Sequence, residues 1–312
     1  MIKRTLYFGN NAYLHTKDEQ IIIDFADKQK PTAKVPIEDI GVVILDAYQL
    51  TISQNLISKL LDNNVALITC NKKRMPQGLM LNLEGHHTQQ EKFHNQVDAS
   101  KPLKKQLWQQ TIKQKINNQA QLLSFATQVA LSELENMDYW SRNVRSGDPD
   151  NYEARAAAFY WRRIFNTYTK NFTRGRYDDA PNNLLNYAYA ILRAITARSL
   201  VASGLLPTFG IHHHNKYNAY ALADDIMEPY RPFVDFVVFD IINEYQEEFE
   251  ETGEIDLTTE VKSKLLVIPT LDVQIGGERS PLMIAMQRTT ASLSACYDGF
   301  QRQILYPSFP VN

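Results

Sequence analysis

The spacing of apolar positions changes character near residue 85. Before that point they come in short runs. Residues 5–8, 12–14, 21–25, 42–45, 65–70 and 78–83 are apolar or β-branched and are separated by polar clusters such as Gly9-Asn10-Asn11 and Lys17-Asp18-Glu19. Such runs predict strands. Ser53 precedes Leu56, Ile57, Leu60 and Leu61 at helical spacing, which predicts one helix with a serine cap. From residue 89 onward the period is helical. Leu103, Leu107, Trp108, Ile112 and Ile116 lead into 122–134, and further helices are expected over 152–168, 182–201, 219–227, 232–249 and 281–305. The segment 306–312 is too proline-rich for helix and is expected to be loose. The pattern predicts an α+β protein: a β-rich N-terminal domain over 1–85, then an all-α domain over 86–312.

Composition narrows the class without naming a function. Apolar residues make up 44% of the 312 and charged ones 22%, the balance of an ordinary globular protein. Cys70 and Cys296 are far apart and match no ligand spacing, which argues against a disulfide scaffold or zinc ribbon and for a reducing compartment. With no signal-peptide core and no apolar run of membrane-spanning length, the expected location is the cytoplasm. Net charge is −2, yet eight acidic residues and no basic one fall between Glu244 and Glu260. The rest of the chain carries 33 basic residues against 27 acidic, enough for a basic track elsewhere.

Two stretches carry candidate chemistry. Gly210-Ile211-His212-His213-His214 places three histidines ahead of a short apolar and acidic helix holding Asp224, Asp225 and Glu228. Asp225 and Asp224 lie three and four residues before Glu228, so each shares a helical face with it. Imidazole with carboxylates can hold a hard divalent cation, Mg²⁺ or Mn²⁺. The alternative is a histidine loop beside a solvated acidic face. In the second stretch, Asp148 is expected to cap a helix with Pro149 in its first turn and Glu153 soon after, among Ala154, Ala156, Ala157 and Ala158. Glu153 serves either the helix dipole or a reaction. Arg155, Arg162, Arg163, Lys170, Arg174 and Arg176 follow, interleaved with Tyr160, Trp161 and Tyr168. They form either a solvated basic face or a phosphate-contacting track, for which Arg162, Arg163, Lys170, Arg174 and Arg176 are the candidates. Lys101, Lys104, Lys105, Lys113 and Lys115 are the fallback. Asn182, Asn183 and Asn186 are read as caps and buttresses. His86, His87 and His94 match no ligand spacing. No Walker A loop, Gly-x-Gly-x-x-Gly, Cys-x-x-Cys, His-Glu-x-x-His or His-Asp dipeptide is present.

In order and separation, five segments resemble one family: Val35-Pro36-Ile37-Glu38-Asp39-Ile40, Glu153-Ala154-Arg155-Ala156-Ala157, Leu185-Asn186-Tyr187-Ala188-Tyr189, Gly210-Ile211-His212-His213, and Leu222 through Pro232. The chain is similar, over nearly its whole length, to the CRISPR-associated integrase, the spacer-acquisition protein of prokaryotic adaptive immunity, and most like the branch found with type II systems. The resemblance implies a metal triad of glutamate, histidine and carboxylate, matched by Glu153, His213 and Glu228, with His212 and His214 flanking the histidine. Asp225, Arg231 and His212 are the expected supporting residues, and Mg²⁺ or Mn²⁺ the expected cofactor. It further implies a homodimer joined through the N-terminal domains, and a heterohexamer in which a dimer of a second, smaller adaptation protein bridges two such dimers. The implied reaction is attack by the 3′-hydroxyl of a captured DNA fragment on double-stranded DNA at the leader–repeat boundary. The competing readings are a structure-selective metal-dependent nuclease outside immunity and a non-enzymatic DNA-binding scaffold.

Overall fold

The structure, a computed structural model, describes residues 3–169, 172–175 and 180–310. It separates into two compact units, Met1–Gln89 and Gln90–Asn312.

The first unit is built on two four-stranded sheets. One contains β1 (Arg4–Phe8), β5 (Ile40–Leu45), β7 (Ala66–Cys70) and β8 (Pro76–Met80), in the order β1-β5-β7-β8. The other contains β2 (Ala12–Lys17), β3 (Gln20–Phe25), β4 (Ala33–Pro36) and β6 (Leu50–Ile52), in the order β4-β3-β2-β6. β5 pairs in parallel with both β1 and β7, and five of its six residues are buried. That explains its unbroken Ile-Gly-Val-Val-Ile run, because a central parallel strand is covered on both faces. Helix α1 (Gln54–Asp62) starts at Ser53, whose hydroxyl accepts from the Leu56 amide at 3.3 Å. Its Leu56 and Leu60 join Leu14, Ile21, Ile23, Ile40, Val43 and Leu67 in a core made wholly of apolar side chains.

The second unit is helical apart from one hairpin. Its helices are α2 (Gln89–Val97), α3 (Lys101–Thr127), α4 (Glu135–Asn143), α5 (Tyr152–Ile164), α6 (Asn182–Ala202), α7 (Ala221–Met227), α8 (Arg231–Glu244), α9 (Gln246–Thr252), α10 (Thr259–Leu265) and α11 (Leu282–Tyr297). Strands β9 (Asp272–Ile275) and β10 (Glu278–Pro281) form the hairpin, a departure from the purely helical expectation. The long α3 is the axis of the unit. It packs against α4, α5, α8 and the 3-10 turn Glu228–Tyr230.

Several features differ from the periodic reading, three of them in the C-terminal part of the unit. The expected helix over 232–249 breaks at Tyr245 into α8 and α9. The last helix stops at Tyr297, followed by Asp298 and a Gly299 with φ of 80°, a backbone angle that ends a helix cheaply at glycine. The expected loose tail is instead fastened along α3 by amide side chains. Gln110 donates to the Arg302 carbonyl and accepts from the Ile304 amide, while Gln114 and Asn118 both donate to the Pro307 carbonyl. Phe309 then stacks on Phe233 with ring centres 4.2 Å apart. Proline excludes helix, but it does not exclude hydrogen bonding through its carbonyl.

Candidate active site

The histidine loop is held by one carboxylate. Asp225, fully buried on α7, accepts from the backbone amides of Ile211 at 2.6 Å, His212 at 2.9 Å and His213 at 3.3 Å. It also meets His213 Nδ1. Gly210 makes this wrapping possible. A Cβ there would lie 2.5 Å from the His213 carbonyl oxygen and 2.8 Å from Asp225 Oδ2, so no other residue fits. With Nδ1 turned to Asp225, Nε2 is the ring nitrogen left for a ligand. The hydrogen bond to Asp225 raises the His213 pKa, with the Glu228 charge adding to it. Burial lowers that of His212. Trp108, on α3, orders both rings: it lies parallel to His212 at 4.2 Å and edge-on to His213 at 5.7 Å.

The carboxylates arrive from two other elements. Glu153 lies in the first turn of α5. That helix begins three residues later than the Asp148-Pro149 pattern suggests, because Asn151 takes a left-handed φ of 54° and becomes the capping position. Asp148 still serves the helix from upstream, its two oxygens accepting from the amides of Tyr152 and Glu153 at 2.9 Å each. Glu228 follows α7 in the 3-10 turn and is 3% exposed. Its Oε1 lies 3.1 Å from Arg231 Nη2, so Arg231 takes the ion-pair role.

Glu153 and Glu228 meet at a residue that the periodicity did not single out. Lys115 Nζ is 2.5 Å from Glu153 Oε1 and 2.7 Å from Glu228 Oε2. Burial alone would raise the Glu228 pKa, but Arg231 and Lys115 outweigh it, and the carboxyl titrates below its ordinary range. Conversely, Glu228 and Glu153 hold the buried Lys115 charged, above the usual lysine range. Glu228 Oε2 accepts no hydrogen bond of good angle among the described residues, despite the ammonium beside it. With Lys115 bridging the carboxylates, no three His, Cys, Asp or Glu side chains among the described residues are grouped closely enough to hold an ion as they stand. The donor chemistry nonetheless fits a hard divalent cation: two carboxylates, one imidazole, and a buried carboxylate oxygen lacking a well-directed partner.

The remaining candidates sort by their contacts. Asp224 is bound by Arg193 at 2.6 Å and Asn218 at 2.8 Å, a structural role. Arg162 and Arg163 are exposed on α5, with the Arg163 guanidinium lying over the Phe159 ring. Arg174 donates to Asn182 and Asn186. Lys170 and Arg176 lie outside the described residues. Lys115, a fallback phosphate contact in the sequence reading, is 5% exposed and committed to the two glutamates. The missed signal was its register: Trp108, Thr111, Lys115, Asn118 and Leu122 are spaced three and four apart, and all are buried. A lysine in such a seam requires a buried acid.

Comparison with known proteins follows the same lines. The profile of the family described as CRISPR associated protein Cas1 matches residues 6–267. The chain is 35% identical over 300 residues to the CRISPR-associated endonuclease Cas1 of Neisseria meningitidis serogroup C (strain 8013), covering 95% of this chain and 92% of that protein. In fold it is similar to a casposase bound to integration product, with a TM-score of 0.76, 18% identity, and coverage of 97% of this chain and 92% of the other. It also resembles a chain of a Cas6-RT-Cas1–Cas2 complex, with a TM-score of 0.74, 21% identity, and coverage of 100% of this chain but 37% of that one.

Proposed function

Because the chain belongs to the CRISPR associated protein Cas1 family, we propose that it is a divalent-metal-dependent DNA integrase and endonuclease that inserts captured DNA fragments into a CRISPR array. The observation that carries this reading is the meeting of Glu153 and Glu228 at one buried cation beside the oriented ring of His213. Glu153, Glu228 and His213 Nε2 would hold Mg²⁺ or Mn²⁺, which when bound activates a hydroxyl and offsets phosphate charge. The chain's own groups supply order. Asp225 fixes the histidine loop, Arg231 fixes one oxygen of Glu228, and Asp148 fixes the start of the Glu153 helix. A phosphodiester exchange needs an aligned 3′-hydroxyl and no covalent enzyme intermediate. The exposed Arg162 and Arg163 on the Glu153 helix suit sequence-independent phosphate contact.

For partners we propose a homodimer joined through the N-terminal unit and a heterohexamer with a Cas2-type protein. The similarity to a chain of a Cas1–Cas2 complex supports the second component. No helix among the described residues is long and apolar enough to cross a membrane.

The test is strand transfer of a fragment with a labelled 3′ end into a supercoiled plasmid carrying a leader and repeat, with the Cas2-type partner and Mn²⁺. Wild type should give joined products, and Glu153→Ala and His213→Ala none, with circular dichroism unchanged. Cleavage without joining would favour a nuclease. DNA binding without joined or cleaved products from the wild type would leave a DNA-binding scaffold, and full activity in both variants would overturn this ligand set.

A further inference from the structure

The carboxylate pair already contains a cation of its own. Lys115 stands on the buried seam of α3 between neutral residues, Thr111 and Leu122 among them, where a leucine would be the ordinary choice. Glu153 comes from α5 and Glu228 from the turn after α7, and neither helix holds the other's carboxylate. Two carboxylates brought together repel unless a positive charge stands between them, the more so where one of them, Glu228, is buried. Arg231 cannot be that charge for both, since it binds Glu228 through Oε1 only. Glu228 Oε2 is therefore the oxygen left for a metal, and Lys115 holds it now, together with Glu153 Oε1.

We infer that Lys115 is a built-in counter-cation, which keeps Glu153 and Glu228 in register in the metal-free protein and competes with the divalent ion for the same two oxygens. The inference rests on the metal site proposed above. It makes Lys115 a positioning residue whose removal changes metal binding and metal-free stability in opposite directions. A purely structural lysine would weaken both together.

The experiment compares wild type with Lys115→Met after chelator treatment, by thermal melting and by calorimetric titration with Mn²⁺. Lys115→Met should melt lower without metal by about 5 °C or more. It should bind Mn²⁺ roughly tenfold more tightly, and saturating Mn²⁺ should return most of the lost melting temperature. Lys115→Arg, which keeps the charge, should bind Mn²⁺ no better than wild type. If Lys115→Met does not fold without metal, Lys115→Gln gives the same comparison. Mn²⁺ affinity that is equal or weaker in a folded Lys115→Met or Lys115→Gln overturns the counter-cation. Binding by neither wild type nor variant overturns the metal site itself, and the counter-cation with it.

Discussion

Both units bury an apolar core, but they differ in how much charge they bury beside it. In the N-terminal unit the core shared by both sheets and α1 is apolar, and Asp46 is the one buried charged residue among the described residues. The helical unit buries Lys115, Asp224, Asp225, Glu228 and Asp235 among its helices. Apolar burial is non-directional and tolerates substitution of similar volume. A buried charge demands a particular partner at a particular angle. The second unit thus sets more charged groups in fixed positions than the first, and Lys115 and Glu228 of the candidate site are among them.

Removing a charge from the helical unit should have the largest effect. Glu228→Ala leaves Lys115 and Arg231 without their shared acid, and breaking such a buried pair costs about 3–5 kcal/mol. Urea denaturation should show that loss, and strand transfer should vanish with it. A loss below 1 kcal/mol would mean that water reaches the pair freely.

In the N-terminal unit the matching experiment is Leu60→Ala, which empties a fully buried position and should cost roughly 3 kcal/mol. Here the loss should not vary with pH or salt. Hydrogen exchange localised to residues 4–80 would show which unit has loosened. A salt-dependent loss would contradict the apolar account of this core.

Asp235 sharpens the contrast with respect to pH. It accepts from Tyr160 at 2.8 Å and from Tyr189, yet burial pushes its pKa up to about 6. The folded state then binds this proton more tightly than the unfolded chain, so the contribution to stability is greatest at low pH. It is lost as pH rises from about 4 to about 6, on the order of 2–3 kcal/mol in all. Asp235→Asn should flatten that part of the stability–pH curve. An unchanged curve between wild type and variant would assign the slope to other groups.

The smallest expected effect tests whether ordinary helix chemistry is alike in both units. Ser53 caps α1 and Ser100 caps α3, each accepting from an amide three residues on at 3.3 Å. Alanine at either position should cost about 1 kcal/mol, as measured by thermal melting. A much larger loss at Ser100 would show that the charged unit depends on its helix ends more than the apolar one does.

The same contrast explains what could be read from sequence. Apolar runs located six strands of the first unit to within a few residues, most directly β3, β5 and β7, where much of the run is buried, while β8 was found although none of its residues is fully buried. β4 (Ala33–Pro36) and β6 (Leu50–Ile52) gave no clear signal, being short edge strands with no fully buried residue. In the second unit the local pattern marked the histidine run, the carboxylates Asp224, Asp225 and Glu228, and Glu153, while the choice of Glu153, His213 and Glu228 came from the family resemblance. Lys115 and Trp108 did not stand out, since their partners lie 38 residues or more away and no periodicity reports a long-range pair. A charge set in an apolar seam was the one readable trace of Lys115. The tail was misread for a related reason: its fastening is written in Gln110, Gln114, Asn118 and Gln121 of α3, not in the tail's own composition.

Helix α3 also sets a rule for which changes in length the chain can accept. Trp108 meets the histidines, Lys115 meets both glutamates, and Asn118 donates to the Pro229 carbonyl at 2.6 Å, all along one face. Removing or adding one residue turns everything beyond it by about 100°. Between 108 and 115 such a change would leave the histidine contact in place and rotate the glutamate contact off its target, and between 115 and 118 it would do the same to the Pro229 contact. The helix is locked in phase between these contacts. Insertions and deletions that leave the chain active must therefore fall outside these eleven positions, in the loops that join the helices.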